Sequence, residues 1–159
     1  MLNLAVIAVG HYAAHGSYGL SASSIDLPLE AHFSVESFPN ALVIEGKWQQ
    51  HSGRPNYAFR VELNRDHTSQ SQADASVTAS GVGSFSGRMS LRGPTLELLA
   101  GDPSTGSQLS ARFVPMDKPR IYEVSGIVSA NGYWFPFHLR VVPMEAELSK
   151  VVALPKRSA

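Results

Sequence analysis

Cysteine is absent from the 159 residues. That rules out disulfides, thiolate metal sites and a cysteine nucleophile. A chain without disulfides fits a reducing compartment, and a cytoplasmic location is the expectation. Charge is scarce as well: Asp, Glu, Lys and Arg make up only 16% of the sequence, against about a quarter in ordinary soluble domains. Thirteen Lys+Arg balance thirteen Asp+Glu. A net charge of zero speaks against nucleic-acid binding, which normally draws on a basic excess. The apolar start, residues 2–9, contains Asn3 and is far too short to span a bilayer. No Lys or Arg precedes Lys47, so the basic region of a signal peptide is missing, although Ser21-Ala22-Ser23 has the small residues of a cleavage site. Neither a nucleic-acid nor a membrane partner is expected.

Helical periodicity is also rare, and alternation of period two takes its place. Leu29, Ala31, Phe33 and Val35 share one face, opposite Glu30, His32, Ser34 and Glu36. The same alternation groups Leu42, Ile44, Gly46 and Trp48, then Tyr57, Phe59, Val61 and Leu63. Further stripes follow: Phe85, Met89 and Leu91; Leu96, Leu98 and Ala100; Leu109, Ala111 and Phe113; Tyr122, Val124 and Val128; and Tyr133 through Phe135, Phe137, Leu139 and Val141. A weaker strand is expected over 73–80. Such patterns describe strands with one face in a core and one in water.

Turn signals separate these runs. Gly93-Pro94, Gly101-Asp102-Pro103 and above all Asn131-Gly132 read as turns between antiparallel neighbours. The polar stretch 64–74 reads as an exposed loop. Residues 85–90 and 124–129 resemble each other around Gly87 and Gly126, with Gly46 standing 41 residues before Gly87. This echo reads as shared hairpin chemistry, since no sustained period supports a solenoid.

The expected fold is therefore all-β: an antiparallel meander of about eight strands over 41–142, closing into a barrel that is calycin-like in outline. A two-sheet sandwich is the alternative. The chain reads as one domain, 1–159, with an N-terminal extension over 1–40 holding one or two strands and a cap and tail over 143–159. Met144, Leu148, Val151 and Val152 have helical spacing, which suggests a short C-terminal helix. Pro136 cannot donate to a ladder, so the strand over 133–142 is expected at an edge or bulged.

Gly46-Lys47-Trp48 resembles the Gly-x-Trp that begins the first barrel strand in lipocalins and, similarly, in avidins. The resemblance is three residues long. It implies that Trp48 packs across the closed end of a barrel beside a basic residue of the last strand, a place Arg140 could take by cation–π contact. On the residues themselves, Trp48 reads simply as core.

Six histidines raise the question of a metal. His11 and His15 are four apart on one face, but a third ligand (Asp26, His32 or His51) would be guesswork, so no metal is expected. Enzyme motifs fail. Gly81-x-Gly83 with Gly87 misses the dinucleotide spacing, Ser107 stands where a P-loop needs Lys, and no nucleophile elbow occurs. Glu45, Glu123 and His138 could serve a site assembled across strands only if they converged. Arg60, Arg88, Arg92, Arg112 and Arg140 fall on outward faces with Glu62, Glu97 and Glu123, and cross-strand ion pairs are their expected use.

The functional expectation is a non-catalytic barrel holding a small, mostly apolar molecule, without a cofactor. Trp48, Tyr57, Phe59, Phe85, Tyr122 and Phe137 are its candidate binding residues. One alternative is a protein-interaction module using the hairpin over 131–140, where Trp134, His138 and Arg140 share an outward face. Another is a cofactor-free isomerase or cyclase, which would need Glu45 or Glu123 to point inward. Zero net charge does little to keep copies apart, so a homodimer is expected.

Overall fold

The computed structural model describes residues 7–19, 26–50, 55–64 and 71–145. Ten antiparallel strands close into a barrel in which every strand pairs with its sequence neighbours and β1 pairs with β10. They are β1 (Gly10–Gly19), β2 (Asp26–Ser37), β3 (Ala41–Gln49), β4 (Tyr57–Asn64) and β5 (Gln72–Ala79), then β6 (Gly83–Arg92), β7 (Thr95–Gly101), β8 (Gln108–Pro115), β9 (Tyr122–Ala130) and β10 (Tyr133–Pro143). The span 41–142 does hold eight strands. The difference from the expected count lies upstream, where β1 and β2 are staves of the barrel itself. β1 was hidden because two small residues, Ala14 and Gly16, separate Tyr12 from Tyr18 on its inward face and blur the period. The polar loop is shorter than expected, since Asn64 already pairs with Asp74.

β10 is not an edge. It pairs with β9 on one side and β1 on the other, and Pro136 lies one residue beyond the last β1 pair, Tyr18 with Phe137. The proline therefore falls where the β1 ladder has already ended. Asn131 and Gly132 both take positive φ, 54° and 78°, as a tight hairpin turn between twisted strands requires. Met144 and Glu145 begin a helical turn, while the remaining positions of the expected C-terminal helix lie outside the described residues.

Register fixes the two faces, because directly paired residues point the same way. The inward face joins Tyr12, Phe33, Gly46, Phe59 and Ala79 in one row. Across the described strands every Asp, Glu, Lys and Arg takes the outward register. Outside, the charges pair across strands. Arg60 meets Glu45 and Glu62, Arg88 lies 3.7 Å from Asp74, and Glu97 sits between Arg92 at 3.2 Å and Arg112 at 3.6 Å. These pairs are exposed, so each contributes at most about 1 kcal/mol. Their larger effect is on register, since a one-residue slip would carry all of them inside.

The three glycines of the sequence echo occupy equivalent inward places. A methyl group on Gly46 would overlap the His32 carbonyl oxygen, one on Gly87 that of Leu99, and one on Gly126 that of Ser110. At each, a strand bends so closely over its neighbour's backbone that no side chain fits. The echo thus marks barrel corners. Gly87→Ala should cost about 3 kcal/mol through overpacking, which lowers the melting midpoint by about 6–12 °C. Gly101→Ala, whose methyl would meet nothing closer than the Ser107 oxygen at 3.5 Å, should stay within about 0.5 kcal/mol of the parent. Equal midpoints for the two variants, measured by calorimetry, would contradict the corner assignment.

Candidate functional site

The barrel interior is not uniform along its axis. At the end that carries the β2–β3, β6–β7 and β8–β9 turns, five inward side chains are shut off from water, and Leu91 and Phe113 beside them are half-buried. Tyr12, Val35, Leu63, Leu96 and Val141 are all under 2% exposed, and each contributes about 1.5–3 kcal/mol by its burial. Ile7 packs into the same cluster ahead of β1. Tyr122 and Tyr12 lie edge to face at 6.0 Å, Phe113 sits 4.6 Å from Tyr122, and Phe33 stacks on Tyr12 at 5.5 Å.

The tyrosine hydroxyls in this plug are satisfied. Tyr12 donates to the Ala8 carbonyl at 2.6 Å, and the Ala8 amide donates to the Tyr122 hydroxyl at 3.1 Å. Arg120, held at φ 63° in the β8–β9 turn, lays its guanidinium 5.4 Å from the Tyr12 ring centre and reaches Glu145 at 3.4 Å. Burial raises the Tyr12 phenol above its ordinary pKa despite that cation, so the ring stays neutral and keeps its proton on Ala8. The cation–π seal implied by the resemblance therefore exists in kind but with other residues. Trp48 sits at the opposite end, and Arg140 faces outward.

At that opposite end the inward side chains remain partly open to solvent. Tyr18, Leu29, Trp48, Tyr57, Phe59, Leu109, Val128, Phe135 and Phe137 are all half-buried although all point inward. Trp48 and Tyr57, paired across β3 and β4, stack with ring centres 4.8 Å apart. The β5–β6 turn rests on Tyr57 through Gly81, whose methyl would lie 3.7 Å from the ring. The Phe137 ring lies against Gly126, filling the place where a side chain would be. Of the six candidate binding residues, Trp48, Tyr57, Phe59 and Phe137 thus gather in the open half. Tyr122 belongs to the plug, and Phe85 is buried at 2% exposure. Sequence reading missed Tyr18, Leu29 and Phe135 as companions. Leu29 and Phe135 already stood in traced stripes and could have been named, whereas Tyr18 lies on β1, whose period was blurred.

Ten strands make a barrel roughly a quarter wider than eight, and the wall carries small inward residues at Ala75, Ala79, Ala100 and Ala111. From Val35 toward the mouth, the inward register of the described strands holds only glycine, alanine, aliphatic, methionine and aromatic residues. Tyrosine hydroxyls and the Trp48 indole N–H are its polar groups. Such a lining is apolar and carries no carboxylate or imidazole on the described strands.

The remaining candidates lie on the outer wall. Glu45 points out to Arg60. Glu123, also outward, lies 2.9 Å from His138 Nε2 and 3.6 Å from Arg140. Despite that proximity Glu123 Oε2 has no hydrogen-bond partner. The convergence that an isomerase would need is therefore not found at these carboxylates. His15 meets Glu30 at 3.8 Å on the outer face, and among the described residues no group of three or more metal-ligating side chains gathers. Trp134 is exposed at 62%, and Leu99 and Ile127 nearby on the outer wall at 67% and 46%. The chain matches no protein-family model and no curated protein significantly.

One rim loop is locally self-supporting. Asp102 accepts from the Ser104 amide at 2.9 Å and the Ser104 hydroxyl at 2.6 Å, and the Gly106 amide donates to the Asp102 carbonyl at 2.8 Å. These bonds, the Ser104 hydroxyl first, hold the Asp102 carboxyl below the ordinary carboxylate pKa. A depressed folded-state pKa means that the loop's support is complete above the unfolded value and fades as pH falls through the folded one. The Ser104 amide resonance should accordingly titrate with a midpoint below the usual Asp range. A midpoint at or above that range in an NMR titration would refute the arrangement.

Proposed function

We propose that this protein is a non-catalytic binding barrel that takes a small, mostly apolar molecule through its open end. The observation that carries this reading is the gradient of burial along one continuous apolar face. Tyr12, Val35, Leu63, Leu96 and Val141 are sealed toward one end. Tyr18, Trp48, Tyr57, Phe135 and Phe137, of the same inward register, stay within reach of solvent toward the other, even though Phe85 and Ala31 among them are buried. A purely structural barrel would gain by burying Trp48, Tyr57, Phe135 and Phe137 fully, since exposed aromatic surface forfeits about 25 cal/mol per Å². Apolar surface held open inside a concave wall is the usual form of a ligand site.

A second reading rests on the outer wall. Leu99 and Ile127 share an outward row through Ser110 that reaches Pro136 on β10, with Trp134 two residues away on the same face, which makes an apolar patch flanked by paired charges. Self-association through this patch would give the expected homodimer, with Trp134 at its centre and His138 and Arg140 at its rim. Together with the absent basic excess, this leaves a small molecule and a second copy as the proposed partners, in a cytoplasmic setting.

Native mass spectrometry of the purified protein, compared with spectra after denaturation, tests both readings. The expected result is a small molecule released on unfolding, with Trp48→Ala retaining at least tenfold less of it. A dimer that Trp134→Ala converts to monomer, with the melting midpoint unchanged, supports the second reading. Ligand-free protein that gains no thermal stability from any lipophilic metabolite would refute the first, because a molecule at a hundred times its Kd should add about 2.7 kcal/mol.

A further inference from the structure

The lining of the open half sets the charge of what it can accept. This inference rests on the ligand-binding reading above and narrows it. On the described strands each Lys and Arg stands on the outward register, and most are already engaged there by carboxylates. Arg120, in the β8–β9 turn, covers an inward ring with its guanidinium. It lies at the sealed end, occupied by the Tyr12 ring and Glu145, with the plug between it and the mouth. The polar groups that face inward toward the mouth are tyrosine hydroxyls and the Trp48 indole N–H, and two of the hydroxyls, on Tyr12 and Tyr122, are committed to Ala8.

A carboxylate, sulfonate or phosphate drawn into this space would lose its hydration and find no cation among the described wall residues. Burying an unpaired charge is among the most costly steps available to a complex. An uncharged molecule avoids that cost. Its shape is suggested by the Trp48–Tyr57 pair, stacked at 4.8 Å with 29° between the planes, by Phe59 beside them on β4, and by Phe135 and Phe137 on β10. Flat aromatic faces favour planar or ring-bearing partners in offset stacking. We propose that the barrel selects neutral, ring-bearing apolar molecules and rejects their anionic counterparts, a selection made by the absence of an inward cation on the described strands.

A matched pair of fluorescent probes tests this on the full-length protein. N-phenyl-1-naphthylamine is neutral, and 1-anilinonaphthalene-8-sulfonate is the same ring framework carrying one sulfonate. The expected result is that the neutral probe binds at least tenfold more tightly, and that its affinity is insensitive to salt. Leu109→Lys, which puts a cation on the half-buried inward face of β8 where it can snorkel toward the mouth, should close or reverse that gap. Val128→Lys, on the neighbouring strand, gives the same test should the first variant fold poorly. An equal or tighter affinity of the parent protein for the sulfonate would overturn the selectivity while leaving the binding reading in place. Failure of both probes to bind ligand-free protein would overturn the two together.

Discussion

Everything in this molecule depends on the pairing of its first strand with its last. β1 and β10 meet through seven residue pairs from Tyr12 with Pro143 to Tyr18 with Phe137, and only that ladder turns an open meander into a closed wall. Closure is entropically demanding because it joins opposite ends of the chain. Once made, it removes both free edges and leaves each strand one permissible register. The inside then becomes a continuous apolar surface and the outside a lattice of charges and hydroxyls. This polarity is opposite to that of barrels that cross outer membranes, whose apolar band faces outward.

The closed wall is sealed at one end and open at the other, for identifiable reasons. At the sealed end, Tyr12, Phe33, Phe113 and Tyr122 fill the cross-section, and Arg120 covers the outermost ring from the β8–β9 turn. At the other end Trp48, Tyr57, Phe135 and Phe137 share the inward register and stay half-buried. Between them, Gly46, Gly87 and Gly126 let the wall bend tightly enough to close. Burial is thus most complete in the plug.

Much of this was legible from alternation. The inward stripes of β2, β3, β4 and β6 to β10 were readable because the residues facing in are large and those facing out are polar. β1 was not, because Ala14 and Gly16 give no contrast with Ala13 and His15, and only the demand of β10 for a partner reveals it. The glycine echo was visible as a repeat but not as a set of corners, since the colliding atoms are backbone carbonyls of other strands. Pro136 pointed to an edge where none exists, because the sequence does not show how far β1 extends. Trp48 and Arg140 were on strands as expected, but which end of a barrel is plugged depends on which aromatic residues crowd it. The Tyr12–Arg120 contact, between distant strand and turn residues, leaves no local pattern.

The central claim is that one end of a single apolar face is available to a ligand and the other is not. Methyl NMR with the neutral naphthylamine probe tests it most directly. The account predicts chemical-shift changes and probe contacts at Leu29, Leu109, Val128 and Leu139, with Leu42, Leu63, Leu96 and Val141 unmoved. Changes confined to Leu99 and Ile127 on the outer wall, or spread through the plug, would contradict it.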